Sequence, residues 1–401
     1  MTNYPIKSKK GIIILACIII LLIVLFGLGY MFGNFANHKI DIIRSTPLTD
    51  AEIKELVDDT LAEMTLSEKV YQMMFVTPES ITGVATVVRA GETSKEALKN
   101  HPVGGIVYFT ENFETREQTA EMLKNIQKFS KIPLFIGVDE EGGRVARLSS
   151  NKNMGVTSHP SMLTIGQTKD TGKAYEIGKT LGKELSELGF NVDFAPVADV
   201  VANNENTEIG DRSFGSDATL VSDMVSSVVK GLRETGVSAA LKHFPGHGST
   251  IADSHKGTSV STRTLDELRT IDFLPFKAGI DAGADFVMVS HMTLTEISDN
   301  DLPSSVSKQV ITDMLKGELG YKGIVITDSF SMGAITENYT QGEAAVMAVE
   351  AGADMILMPS DIKKAHGAIV KAVNSGKITK ERIDESVRKI LTIKAKRNIF
   401  R

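Results

Sequence analysis

The chain has 401 residues, 42% of them apolar, a formal net charge of -6 and a single cysteine. That length suits two ordinary domains or one α/β barrel, and the acidic balance without a basic stripe excludes a nucleic-acid-binding face, which needs concentrated positive charge. One cysteine excludes an intrachain disulfide, so the fold must rely on its core.

Residues 1–10 form a basic tail with Lys7, Lys9 and Lys10. Gly11 to Gly33 follow without a charge, and these 23 residues, at helical rise, exceed the roughly 30 Å of bilayer hydrocarbon. This predicts a transmembrane anchor over 11–33. No lysine or arginine follows until Lys39, so the positive-inside bias leaves the amino terminus in the cytoplasm and the remainder outside. Cys17 in "ILAC" offers a weaker lipoprotein reading, because only Gly11 to Ala16 precede it and a signal peptide has about 7–15 apolar residues there. Residues 34–47 read as a linker and 48–401 as one domain with no further linker.

The domain opens with TDAEIKELVDDTLAEMTLSEKVYQMM, where Leu56, Leu61, Met64 and Leu66 sit among charges at helical or turn spacing. Short β-branched runs then alternate with amphipathic stretches: GGIVYF (104–109), PLFIGVD (133–139), FNVDFAPVADV (190–200), VSAALKHF (237–244), ADFVMVSHM (284–292), GIVITDSF (323–330) and ADMILMP (353–359). Between them Ala174, Ile177, Leu181, Leu185 and Leu188 share one helical face, as do Leu220, Met224, Val228 and Leu232. Such βα repetition predicts a single α/β domain, a (β/α)8 TIM-type barrel behind the transmembrane helix. A doubly wound open sheet is the alternative, but the chain has no G-x-G-x-x-G loop. Asp139, Asp199, Lys242 with His243, His291 and Asp328 end these runs, and a barrel gathers strand ends at one mouth.

"KHFPGHGSTIADSH", residues 242 to 255, gathers three of the chain's eight histidines. Pro245, Gly246 and Gly248 break regular structure, which puts His243 at a strand end and His247 and His255 on a loop. Asp253 lies two residues before His255, where it can orient the imidazole and stabilise its charged form for proton exchange. Zinc is a rival reading, yet Phe-Pro-Gly between His243 and His247 cannot be helical, and Lys242 beside a cation is repulsive. No metal or cofactor is expected. Asp328 in "GIVITDSFSMGAI" suits either a rigid strand-end nucleophile or a helix N-cap. "GVDEEGGRVARL" sets Asp139, Arg144 and Arg147 about a Gly142-Gly143 turn and "EIGDRSFG" holds Arg212; these read either as salt-bridged surface turns or as a set able to grip sugar hydroxyls.

"VDEEGGRVARL", "IGDRSFG", "KHFPGHGSTIADSH" and "ITDSFSMGAI", in this order over roughly 200 residues, resemble the family 3 glycoside hydrolases, and specifically the bacterial β-N-acetylglucosaminidases that process peptidoglycan fragments. The resemblance implies a retaining enzyme with Asp328 as nucleophile, His255 as general acid/base and Asp253 as its partner. It assigns Asp139, Arg147, Arg212, Lys242 and His243 to the terminal N-acetylglucosamine, His291 and Met332 to the pocket wall, and Arg144 and His247 to structure. Ser249 departs from the acidic residue frequent in relatives, which bears on loop mobility. The implied substrates are GlcNAc-MurNAc saccharides or muropeptides, met outside a bacterial cell by a single-pass membrane enzyme. Phosphorolysis by the same residues, or a tethered wall-binding protein without catalysis, are the competing functions.

Overall fold

The computed structural model of the chain describes residues 47–202, 206–250, 259–297 and 301–400. Asp50–Arg401 forms one compact unit. The anchor expected over 11–33, Cys17 and nearly all of the 34–47 linker lie outside the described residues. Among the described residues, no helix is long and apolar enough to cross a membrane.

In chain order the strands are β1 (Met74–Val76), β2 (Gly105–Val107), β3 (Phe135–Val138), β4 (Glu140–Gly142), β5 (Val145–Ala146), β6 (Val192–Asp193), β7 (Ser238–Phe244), β8 (Val260–Ser261), β9 (Phe286–Val289), β10 (Thr293–Leu294), β11 (Ile324–Ser329) and β12 (Met355–Leu357). Eight of them close into a barrel in the order β1-β12-β11-β9-β7-β6-β3-β2, every pairing parallel. β4 and β5 form an antiparallel hairpin directly after β3, and β8 pairs with β10 outside the barrel. Helices cover the outside, so the barrel strands are apolar on both faces and read as continuous hydrophobic runs rather than alternating ones.

Aromatic side chains fill the interior. Phe75 meets Phe194 edge-on at 5.3 Å and Phe135 meets Phe286 at 5.1 Å. Phe75 fits because β2 and β3 present glycines: a Cβ on Gly105 would stand 2.7 Å from its ring, and one on Gly137 2.9 Å. Burying each such ring contributes about 2–3 kcal/mol.

The helix Thr171–Leu188 buries the stripe expected of it, Ala174, Ile177, Leu181, Leu185 and Leu188. It packs closely on Ala218–Glu234, which buries Met224, Val228 and Leu232 while Leu220 stays half-buried. The opening amphipathic stretch is two helices, Asp50–Glu63 and Leu66–Gln72, separated by Met64 and Thr65, and the Thr65 side chain and Glu68 form a capping box. Its first helix buries Ile53, Val57 and Leu61, an i, i+4, i+8 stripe that includes Leu61 but not Leu56. β1 follows at once, and no run singled out in the sequence anticipated it.

Candidate active site

The site is built where β3, β7 and β11 end. β3 runs into Asp139 and the β4–β5 hairpin, turned by Gly142 (φ 90°) and Gly143 (φ 60°), left-handed values that glycine adopts without a Cβ penalty. Extended backbone points residues i and i+2 the same way. Asp139 and Glu141 therefore both reach Lys242 on β7, each carboxylate oxygen 2.6 Å from its Nζ. Glu140 points away and accepts from the Leu148 and Ser149 amides at 2.7 and 3.1 Å, tying the hairpin's return to its start.

Arg212 ends a short turn, Gly210–Arg212, and grips Glu141 with two parallel bonds, Nε to Oε2 at 2.9 Å and Nη2 to Oε1 at 2.8 Å. Burial alone would raise the Glu141 carboxyl, but the Lys242 and Arg212 cations outweigh it and hold the group well below the usual carboxylate range. The same carboxylates outweigh desolvation at Lys242 and hold its ammonium above its ordinary value. Glu141 was inside a motif quoted above yet went unremarked; its i+2 spacing from Asp139 was the available signal.

His243 follows Lys242, and its Nδ1 lies 2.8 Å from Asp199 Oδ2. Asp199 is fully buried and also accepts from the backbone N–H groups of His243 and His247, the latter at 2.6 Å. Burial would raise it, but the two histidines hold it below its ordinary value, so it accepts and Nδ1 carries the proton. That directs Nε2 of His243 toward Arg212 Nη2, 3.4 Å away.

Asp328 lies on β11, half-buried, with Oδ1 accepting from the Ser329 amide at 2.7 Å. It is not an N-cap: the next helix starts at Gly333, Met332 holds the cap position, and no side chain caps it. A cavity of about 280 Å³ opens here, near the small end of pockets that hold small molecules, roughly 300–1,000 Å³. Asp139, Arg147, Arg212, Lys242, His243, Asp328 and Met332 all line it, over an apolar floor that includes Phe194 and Leu357. Arg147 lies 5.5 Å over the Phe109 ring, and its buried Nε has no hydrogen-bond partner.

His291 departs from the expectation that it walls the pocket. It is fully buried and absent from the cavity lining, with Nδ1 2.7 Å from Ser305 Oγ and Nε2 2.8 Å from the Ser329 carbonyl. A strand-end position predicted the pocket wall; this imidazole instead bonds the backbone beside Asp328. Arg144 lines the cavity rim, with Nε 2.8 Å from Asp211 and Nη2 on the Thr207 carbonyl at 2.8 Å. His247 is buried; its ring meets Thr250 Oγ1 at 2.8 Å and its carbonyl accepts from Asn206. Asp253 and His255 lie outside the described residues. Among the described residues, no cluster of histidine, cysteine and carboxylates has the geometry to hold a metal ion.

A closed parallel barrel with a charge-lined pocket at its strand carboxyl ends defines a barrel enzyme. The family model "Glycosyl hydrolase family 3 N terminal domain" matches residues 65–393. Among curated proteins, the chain is 33% identical over 315 residues to β-hexosaminidase LpqI of Mycobacterium tuberculosis, covering 77% of this chain and 79% of that one. It is 32% identical to β-hexosaminidase A of Pseudoalteromonas piscicida over 75% of its own length, but spans only 54% of that longer protein. Among solved structures, a family 3 β-N-acetylglucosaminidase from Paenibacillus sp. superposes with a TM-score of 0.79 at 38% identity, over 84% of this chain and 63% of that one. The chain belongs to glycosyl hydrolase family 3.

Proposed function

We propose that this chain removes terminal β-linked N-acetylglucosamine from peptidoglycan-derived saccharides or muropeptides with retention of configuration. The observation that carries the reading is one small cavity into which both Asp328 and the Asp139–Lys242–Glu141–Arg212 network open. Ion-paired donors and acceptors held rigidly suit the hydroxyls of a single terminal sugar. The names of the relatives, β-hexosaminidases and a β-N-acetylglucosaminidase, support the N-acetyl sugar.

In this mechanism an Asp328 carboxylate oxygen attacks the anomeric carbon while His255, oriented by Asp253, protonates the departing glycosidic oxygen. A covalent glycosyl-enzyme forms and the aglycone leaves. His255 then takes a proton from water, whose oxygen attacks the same carbon and releases Asp328. Residues 11–33 tether the domain outside a bacterial cell.

The test uses the full-length chain in detergent with an aryl β-N-acetylglucosaminide and the matching β-glucoside, with and without inorganic phosphate. Preference for the N-acetyl sugar, with free sugar as product in both buffers, is the expected result. A sugar 1-phosphate would instead favour phosphorolysis, a second reading supported by a β-glucoside phosphorylase with a TM-score of 0.77 at 27% identity. Binding of wall fragments without any turnover would favour a tethered wall-binding protein.

A further inference from the structure

Asp272 is fully buried, and neither of its carboxylate oxygens accepts a hydrogen bond. It ends a π-turn, Leu268–Asp272, and leads into the helix Phe273–Asp281. That helix is fixed to the end of β7: Phe273 stacks on Phe244 at 5.4 Å and Phe276 meets the same ring edge-on at 5.2 Å.

Two pieces of chain converge on this carboxyl. One is Gly246, just after β7, where an added Cβ would stand 2.6 Å from the Asp272 Cβ and 2.8 Å from Oδ1. Its φ of 129° also lies outside the range L side chains favour. The other is Arg263, just after β8, whose Nε lies 3.3 Å from Asp272 Oδ2. A second contact joins the same two pieces, Ser249 Oγ to Ser261 Oγ at 3.1 Å. Gly246 and Arg263 flank, in sequence, the segment that contains Asp253 and His255.

Burial pushes the Asp272 carboxyl up to about 7; Arg263 opposes the rise, while Asp199 and Glu267 add to it. Stability does not require such a group, since a buried ion pair replaced by apolar residues of similar volume is often neutral or better. What the pair does provide is a fixed reference for two chain ends.

We propose that Asp272 is a positioning residue for the general acid, clamping the outgoing stem at Gly246 and the returning stem at Arg263 so that His255 is presented to the glycosidic oxygen. This rests on the reading of His255 as acid/base. Protonation of the departing oxygen matters for a poor leaving group and hardly at all for an acidic one, so the two can be told apart kinetically.

The experiment measures kcat and KM of the full-length enzyme in detergent on phenyl and 2,4-dinitrophenyl β-N-acetylglucosaminides, for Asp272→Asn, Arg263→Lys and His255→Ala. Asp272→Asn is expected to lower kcat/KM, which reports the glycosylation step alone, about 10- to 100-fold more on the phenyl substrate than on the dinitrophenyl one. Arg263→Lys keeps the cation and is expected to show the same signature, but weaker. Equal losses on both substrates, or no loss, in Asp272→Asn would overturn the proposal while a leaving-group-dependent His255→Ala left the acid/base reading intact. If Asp272→Asn does not fold, the Arg263→Lys ratio decides in the same way. Equal losses in His255→Ala would overturn the acid/base reading and the proposal with it.

Discussion

The two ends of the barrel hold buried charges in opposite ways. At the carboxyl-end mouth, Asp139, Glu141, Lys242 and Arg212 form a network whose open side faces a cavity. At the amino-end floor, Asp354 precedes β12 and is closed in on every side. Lys316, Lys389 and Arg382 stand 3.6, 3.4 and 3.8 Å from its oxygens, while Ser386 and the Val325 amide donate to it at 2.7 and 3.0 Å. Also at the floor, Lys394 is fully buried over the Phe135 ring with its Nζ on Gln72 Oε1 at 2.9 Å. Similar ingredients thus serve two ends. A network left open on one side can exchange its partners with a ligand, whereas a closed one can only join strands to the helix Lys380–Lys396 that covers them.

Substitutions at the two ends should therefore separate activity from stability. The largest effect is expected from Asp328→Asn at the mouth, which removes the charge of the proposed nucleophile. Turnover of the aryl N-acetylglucosaminide should fall by about 10³-fold or more, with the urea midpoint little changed. Glu141→Gln should move both properties, because it leaves Lys242 and Arg212 buried without their shared anion: about 3 kcal/mol of stability is lost and KM rises. Urea denaturation and Michaelis curves on the same preparation measure the pair.

The sequence carried most of the architecture and only part of this contrast. Seven of the barrel strands fell within runs that were easy to see, because strands buried on both faces leave unbroken apolar stretches. β1 was missed because Met74–Val76 is three residues long and follows a helix directly. The run 190–200 looked like one strand, but only Val192–Asp193 pairs as a strand of the barrel, with a single further bridge from Val197 to Lys242. At the mouth, strand ends marked Asp139, Lys242, His243 and Asp328, since topology alone brings those positions together. Side-chain surroundings were not legible: His291 ends a run like the others, yet is buried against Ser305 and the Ser329 carbonyl and is not among the residues that line the cavity. The Asp272–Arg263 pair was invisible, as no local spacing links a π-turn to a loop stem.

At the floor, Asp354→Asn should cost about 3–5 kcal/mol by leaving three cations without a counter-charge, with kcat/KM within about twofold of the parent. A matching loss of activity would break the division between the ends. The effect confined to a pH slope concerns Lys394, whose amine burial holds well below its ordinary 10.5. A depressed folded value means that stability from this group is present above 10.5 and is lost as pH falls toward the folded value. Lys394→Met removes that slope, so its stability advantage over the parent should grow as pH drops below 10.5, by up to about 1.4 kcal/mol per pH unit. Urea melts from pH 7 to 10.5 read the difference.

The central claim is that Asp328 forms the bond to the sugar. It is tested most directly by incubating the full-length enzyme with a fluorinated N-acetylglucosaminyl fluoride that reacts fast and hydrolyses slowly, then mapping the adduct by peptide mass spectrometry. The account predicts one glycosyl adduct on the peptide containing Asp328, absent from Asp328→Asn. An adduct on another carboxylate, or an Asp328→Asn enzyme labelled as readily as the parent, would contradict it.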